Sequence, residues 1–270
     1  MLEVQGVSKT FNAGTPNEVR SLRGVNLELA EGSWVIIIGT NGSGKSTLLN
    51  AVAGTFLVDD GKIRLSGRDV TRWPEYKRAA LIGHVFQNPF SGTSPTLTIR
   101  ENLSLAARRG CGRGLGWGLK AWLVARMLDE VSRLNMGLED RLENAIGSLS
   151  GGQRQALTLL MATWLRPDLL LLDEHTAALD PKSADLVIAL TEQVVARDKL
   201  TTLMVTHSMH QAASLGDRLV MMHRGQIIHD FQGAEKRRLR PDDLLARFEE
   251  VRRAEQLDES AAQMLTEQYV

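Results

Sequence analysis

The chain lacks most of the features that mark a specialised class. It has one cysteine, Cys111, in 270 residues, so no disulfide framework can form within it, which fits a reducing compartment. Its longest mainly apolar stretch, Ala156 to Leu165, falls far short of the ~18 residues a membrane helix needs. Met1-Leu2-Glu3-Val4-Gln5-Gly6 shows no charged start followed by an apolar segment, so no signal peptide is expected. Neither charge is in excess: 32 Lys+Arg stand against 32 Asp+Glu. A balanced chain gives no electrostatic reason to expect nucleic acid as a partner. Internal repeats and long heptad runs are also missing.

What is present suits a folded protein with a sizeable core, at 43% hydrophobic and 24% charged residues. Leu2–Val7 and Gly24–Leu29 alternate apolar with polar residues, the period of half-buried strands. Trp34-Val35-Ile36-Ile37-Ile38 is apolar at every position and bounded by glycine, which predicts a central strand buried on both faces. Lys45 to Ala53 then reads as a helix closed by Gly54. Strand, glycine-rich turn and helix begin a parallel α/β layer. Short strands are expected at Lys62–Leu65 and Ala80–Phe86, helices from Thr98 to about Leu165, and buried strands at Leu169–Leu172 and Thr201–Thr206. Leu219–Met222 and Gln226–Ile228 read as a closing hairpin, and from Phe231 the charged pattern is helical, with Pro241 just inside a helix start. Gly110 to Gly118 carries glycine at every second position and predicts a mobile loop. Trp117 and Trp122, in and just after this loop, suit packing or simple exposure better than a membrane partner.

Gly39-Thr40-Asn41-Gly42-Ser43-Gly44-Lys45-Ser46-Thr47 satisfies G-x-x-x-x-G-K-[ST] between a predicted strand and a helix. Its glycines let backbone N–H groups face inward around phosphates, and the helix aims its positive end at the same anions. Lys45 is placed for the β- and γ-phosphates of ATP, and the Ser46 hydroxyl for Mg²⁺. Asp173 and Glu174 end the Leu169–Leu172 strand, at the carboxyl edge where a parallel sheet presents ligands. Asp173 is expected to hold Mg²⁺ and Glu174 to orient and deprotonate the attacking water.

Leu149-Ser150-Gly151-Gly152-Gln153, lying between the phosphate loop and the acid pair, resembles the signature of ATP-binding-cassette (ABC) ATPases. Gln87 in Val85-Phe86-Gln87-Asn88-Pro89 looks like that family's Q-loop glutamine, a ligand of the γ-phosphate and Mg²⁺. Ala178-Leu179-Asp180 looks like its D-loop, His207 like its switch histidine, and Phe11 stands where its members stack an aromatic on adenine. The resemblance covers about residues 2–230. It implies an α/β P-loop NTPase fold, with a RecA-like core of mainly parallel sheet, an antiparallel β part and an inserted α-helical subdomain. The expected division is a core at 1–87 and 155–230, a helical signature subdomain at 88–154 and a C-terminal helical extension at 231–270. It also implies that two chains pair head to tail, with Ser150, Gly151, Gly152 and Gln153 closing over the partner's ATP. His207 would stabilise the transferring phosphoryl group, and Asp180 would link the two sites.

One residue departs from the pattern: His175 follows the catalytic acid where the family most often has proline, and it is expected to replace proline in a turn without doing chemistry. A lone cassette without membrane helices resembles the separate ATPase subunit of a transporter, on the cytoplasmic face of the inner or plasma membrane. The surroundings of Asp173–Lys182 resemble importers of amino acids or similar small organic solutes. That implies membrane permease subunits, an extracytoplasmic solute-binding protein and a second ATP-binding subunit, expected to be an identical chain. An exporter or lipid-handling subunit and a soluble ABC regulator remain alternatives. The permease is expected to dock beside Asn88–Pro95 with Phe90 as an apolar anchor, and Lys236-Arg237-Arg238-Leu239-Arg240 to be a solvated linker.

Overall fold

The computed structural model describes residues 1–110, 121–251 and 253. Most of the glycine-alternating stretch, with Trp117, and the last part of the C-terminal extension lie outside them. In chain order the elements are β1 (Leu2–Phe11), β2 (Val19–Leu29), β3 (Trp34–Gly39), α1 (Lys45–Ala53), β4 (Asp60–Leu65) and β5 (Arg68–Asp69). Next come α2 (Glu75–Arg78), β6 (Ile82–Val85), α3 (Ile99–Ala107), α4 (Ala121–Ser132), α5 (Gly151–Thr163) and β7 (Leu169–Asp173). The chain continues through α6 (Pro181–Asp198), β8 (Thr201–Val205), α7 (Met209–Ser214), β9 (Arg218–His223), β10 (Gln226–Gln232) and α8 (Gly233–Arg238). A further helix occupies 241–251, opening at Pro241 as expected.

Two sheets form. The first is antiparallel in the order β2-β1-β4-β5, and the second has the order β10-β9-β3-β8-β7-β6. In the second, β9, β3, β8, β7 and β6 run parallel, and only the edge strand β10 is antiparallel. The continuous apolar run of β3 has the explanation expected of it. Trp34, Ile36 and Ile38 enter a core shared with α3, α4 and α5, while Val35 and Ile37 enter a second core shared with α1 and the antiparallel sheet. Leu170 and Leu172 join the first core, and Leu169 and Leu171 the second. The period-2 alternation of a strand thus divides one apolar run between two layers.

Three details are set by packing and pairing rather than by the local sequence pattern. Helix α5 runs unbroken from Gly151 to Thr163, with Gly152 and every residue from Arg154 to Thr163 buried against its neighbours. Strand β10 continues through Phe231 and Gln232, held by Phe231↔Leu219 and Gln232↔Arg218 pairing. The basic run is not a solvated linker throughout: Lys236 is buried, its ammonium donating to the Ala213 carbonyl at 2.7 Å. Trp122 is exposed.

Candidate active site

Four of the sequence-selected segments follow directly from the carboxyl ends of parallel strands. The phosphate loop follows β3, Gln87 lies two residues beyond β6, Asp173 and Glu174 end and follow β7, and His207 lies two residues beyond β8. Because the strand order is β3-β8-β7-β6, segments up to 168 residues apart in sequence share one edge of the sheet.

The phosphate loop wraps itself tightly. Gly44 has φ 98, and a Cβ there would lie 2.4 Å from the Ser21 carbonyl oxygen. Gly44 caps α1 without a side-chain hydrogen bond, so the first N–H groups of α1 are free to meet an anion. The Ser43 hydroxyl is buried with no partner, while Asn41 and Ser46 are exposed and Thr47 half-buried at the open side. Lys45 donates to the Gly39 and Thr40 carbonyls at 2.9 and 3.1 Å. Burial holds its ammonium below the ordinary lysine range, against the pull of Glu174 and Asp173.

Beside it, the Ser46 hydroxyl donates to Asp173 Oδ1 at 3.1 Å. Burial raises the Asp173 carboxyl above its usual range, opposed by that hydrogen bond and by Lys45 and His207. The Glu174 carboxylate lies between two arms: Gln87 Nε2 donates to one oxygen at 3.1 Å, and His207 Nε2 lies 2.7 Å from the other. Glu174 itself sits at φ 45, a left-handed conformation unusual for a residue with a side chain. The His207 loop is anchored through Gln211, which accepts from the Thr206 hydroxyl at 2.6 Å and donates to the Thr176 hydroxyl at 3.2 Å. Sequence reasoning missed Gln211, since nothing local distinguishes it from any helical glutamine.

His175 points away from this edge. It is fully buried, with Nε2 3.1 Å from the Thr191 hydroxyl and Nδ1 without a partner. Burial lowers its pKa to about 4, so it packs against α6 as a neutral ring.

Phe11 ends β1 and meets Phe56 edge to face at 5.2 Å, with the Lys9 ammonium about equally far from both rings, at 5.6 and 5.5 Å. Asp59 and the Leu57 carbonyl hold that ammonium in place. The single aromatic seen in the sequence is therefore a braced pair.

The signature segment stands apart. Ser150 caps α5 in a reciprocal box with Gln153. Gly152 packs against α6, where a Cβ would meet Ser183 at 2.8 Å, and Asp180 caps α6 through the Ser183 N–H at 3.1 Å. Among the described residues no hydrogen bond joins Ser150–Gln153 to the phosphate loop. The phosphate loop and the signature are thus separate helix N-termini lined by glycine, and the first of them lies beside the acids.

A groove of about 560 Å³ opens between β6 and helices α3 and α5, with His84, Phe86, Leu105, Arg109 and Met161 among its walls. Phe90 does not line it. That aromatic is half exposed, with the Arg154 guanidinium 3.7 Å from its ring centre.

Comparison with known proteins agrees with this arrangement. A family model described as ABC transporter matches residues 22–177. The tyrosine transport ATP-binding protein of Clostridioides difficile is 42% identical over 253 residues, covering 92% of this chain and 99% of that protein. The lipoprotein-releasing system ATP-binding protein LolD 1 of Caulobacter vibrioides is 35% identical over 225 residues, covering 82% and 92%. Among solved structures, the dimeric ATP-binding cassette MJ0796 in a post-hydrolysis state with ADP and Pi superposes with a TM-score of 0.73 at 27% identity, covering 86% of this chain and 98% of that one. A phosphate loop, an acid pair and a second glycine-lined helix start on a P-loop α/β scaffold, together with these matches, establish that the chain belongs to the ABC transporter family as an ATP-binding, ATP-hydrolysing subunit.

Proposed function

We propose that the chain energises uptake of an amino acid or a similarly small organic solute, as one of two identical cassettes paired head to tail beneath a separate permease on the cytoplasmic face of the membrane. The observation that carries this is the 42% identity, end to end, with a tyrosine transport ATP-binding protein. An extracytoplasmic solute-binding protein delivers the solute. The core (1–87 and 155–230) binds nucleotide, the helical part (88–154) carries the signature, and 231–270 is an extension.

In this reading the N–H groups of Asn41 to Thr47 wrap the phosphates and Lys45 reaches the β- and γ-phosphates. Phe11, braced by Phe56, stacks on adenine. Glu174 takes a proton from the attacking water, which Gln87 and His207 help to place, and His207 stabilises charge on the transferring phosphoryl group. The Ser46 hydroxyl and the Asp173 carboxylate, 3.1 Å apart, fit Mg²⁺, a hard cation that takes few protein oxygens alongside water and phosphate; Gln87 completes the set. When bound, Mg²⁺ neutralises charge on the β- and γ-phosphates. Ser150, Gly151, Gly152 and Gln153 of one chain close over ATP held by the other, and Asp180 links the two sites. The permease inserts a short helix into the groove walled by Phe86, Leu105 and Met161.

Two experiments test this. Ser150→Arg or Gly151→Asp abolishes hydrolysis and spares ATP binding by the single chain, unlike Lys45→Ala; a signature variant that weakens monomer binding as much as Lys45→Ala refutes the two-chain site. Proteoliposomes holding this subunit and its co-purified permease take up amino acid when ATP is supplied on the cassette side. Release of lipoprotein from the bilayer instead would favour the activity named for the LolD relative.

A further inference from the structure

Eleven residues follow Gln87 before α3 begins, and they do not form a free loop. The backbone runs against the turn that precedes the signature. Gly147 N–H donates to the Pro95 carbonyl at 2.9 Å, Ile146 to Leu97 at 3.0 Å, Ile99 to Asn144 at 3.0 Å and Arg100 to Leu142 at 3.0 Å. Little slack remains: a Cβ on Gly147 would sit 2.8 Å from the Pro95 oxygen.

Two consecutive residues of α5, placed immediately after the signature, grip this assembly on either side of Gln87. Arg154 is buried, 4% exposed. Its guanidinium donates to the carbonyls of Ile146 at 3.3 Å and of Gly147 and Leu149 at 3.0 Å, so it holds the turn that leads into Ser150. The same guanidinium lies 3.7 Å from the centre of the Phe90 ring, three residues beyond Gln87. Among the described residues no carboxylate pairs with it; carbonyl dipoles and an aromatic face balance the charge. Gln155, fully buried, donates to the Phe86 carbonyl at 3.1 Å, one residue before Gln87.

We infer that Arg154 and Gln155 are positioning residues that bind the Gln87 segment and the signature turn into one body, so that Gln87 engaging nucleotide at one site sets the posture of Ser150 toward the other. The inference rests on the two-chain reading above. The link runs from Gln87 along three residues of backbone to Phe90, from the Phe90 ring to Arg154, and from Arg154 to the carbonyls before Ser150, with the Phe86 carbonyl bonded to Gln155 as a second strap. Spatial intermediacy alone does not establish coupling, so the test is a mutant cycle.

In a Glu174→Gln background, which retains ATP, the ATP-driven dimer is measured by sedimentation for Arg154→Met, Arg154→Lys, Phe90→Leu and the Arg154→Met/Phe90→Leu pair. The affinity of the monomer for a fluorescent ADP is measured alongside. The expected result is unchanged ADP affinity with dimerisation weakened ~10-fold in Arg154→Met, inside the usual ~5–150-fold span of site-to-site coupling. Phe90→Leu shows a smaller loss, Arg154→Lys a partial one, and the double variant is no worse than Arg154→Met alone. A purely structural role would lower the melting temperature without separating dimerisation from ADP affinity. Wild-type dimerisation in Arg154→Met, or additive losses in the pair, overturns the inference. If Arg154→Met does not fold, Phe90→Leu and Arg154→Lys decide, and wild-type dimerisation in both is equally fatal. A Glu174→Gln parent that stays monomeric in ATP overturns the two-chain reading itself and the inference with it.

Discussion

Glu174 combines a proposed chemical role with a backbone conformation that its side chain disfavours, and three substitutions separate the two. Its φ of 45 lies in the left-handed region, which costs an L-residue roughly 1–2 kcal/mol. Glu174→Gln keeps the Cβ and the shape and removes only the basic carboxylate held between Gln87 and His207. Turnover then falls ~10²–10⁴-fold, about 3–5 kcal/mol of barrier, while ATP binding persists. Glu174→Ala and Glu174→Gly both lose the two side-chain contacts and differ from each other by one methyl group. Glycine enters the left-handed region freely but gives up roughly 0.5–1 kcal/mol of chain entropy. Glu174→Gly is therefore more stable than Glu174→Ala by about 0.5–1 kcal/mol, or roughly 1–4 °C in melting temperature for a chain of this size. Single-turnover phosphate release and scanning calorimetry without nucleotide read the two effects independently. Near-wild-type turnover in Glu174→Gln removes Glu174 as the base. An alanine variant that melts as high as the glycine variant shows that no backbone strain is held there.

Other sites give further tests. Burial lowers the His84 pKa from 6.5 to about 4, so between those values the unfolded chain binds a proton that the folded one does not. Stability contributed by neutral His84 is complete above pH 6.5 and is lost as pH falls toward 4, by about 3 kcal/mol; urea titrations of His84→Gln should show this slope removed. Arg78, 1% exposed, donates to the carbonyls of Ala51 and Val52 in the last turn of α1 and to those of Thr71 and Trp73. Arg78→Met strands four acceptors and lowers unfolding free energy by ~3–5 kcal/mol; a loss below ~1 kcal/mol shows that water replaces the guanidinium. Leu105 lines the groove and is 58% exposed. Leu105→Glu is expected to keep basal ATP hydrolysis and thermal stability but fail to retain the permease in detergent pull-downs. Full retention by Leu105→Glu places the docking surface elsewhere.

The sequence by itself determined the features whose requirements are contiguous. Strand, glycine turn and helix at Trp34–Ala53 were legible because phosphate binding needs those residue types side by side, and Leu169–Glu174 because a doubly buried strand shows as an unbroken apolar run. Order along the chain also sufficed to recognise the family, since its motifs are short and each is local. The tertiary structure alone decided what lies across from what. Gln87, Glu174 and His207 meet because β6, β7 and β8 are neighbours in the sheet, and strand order depends on packing across long separations that periodicity does not encode. The bracing groups were hidden for a related reason. Arg78, Arg154, Gln155 and Lys236 each spend their donors on backbone carbonyls, and a carbonyl is the same at every residue, so no pattern of side chains announces its partner. The end of β10 and the continuity of α5 likewise follow from hydrogen-bond pairing and all-round burial, which exist only once the sheets and helices have closed on one another.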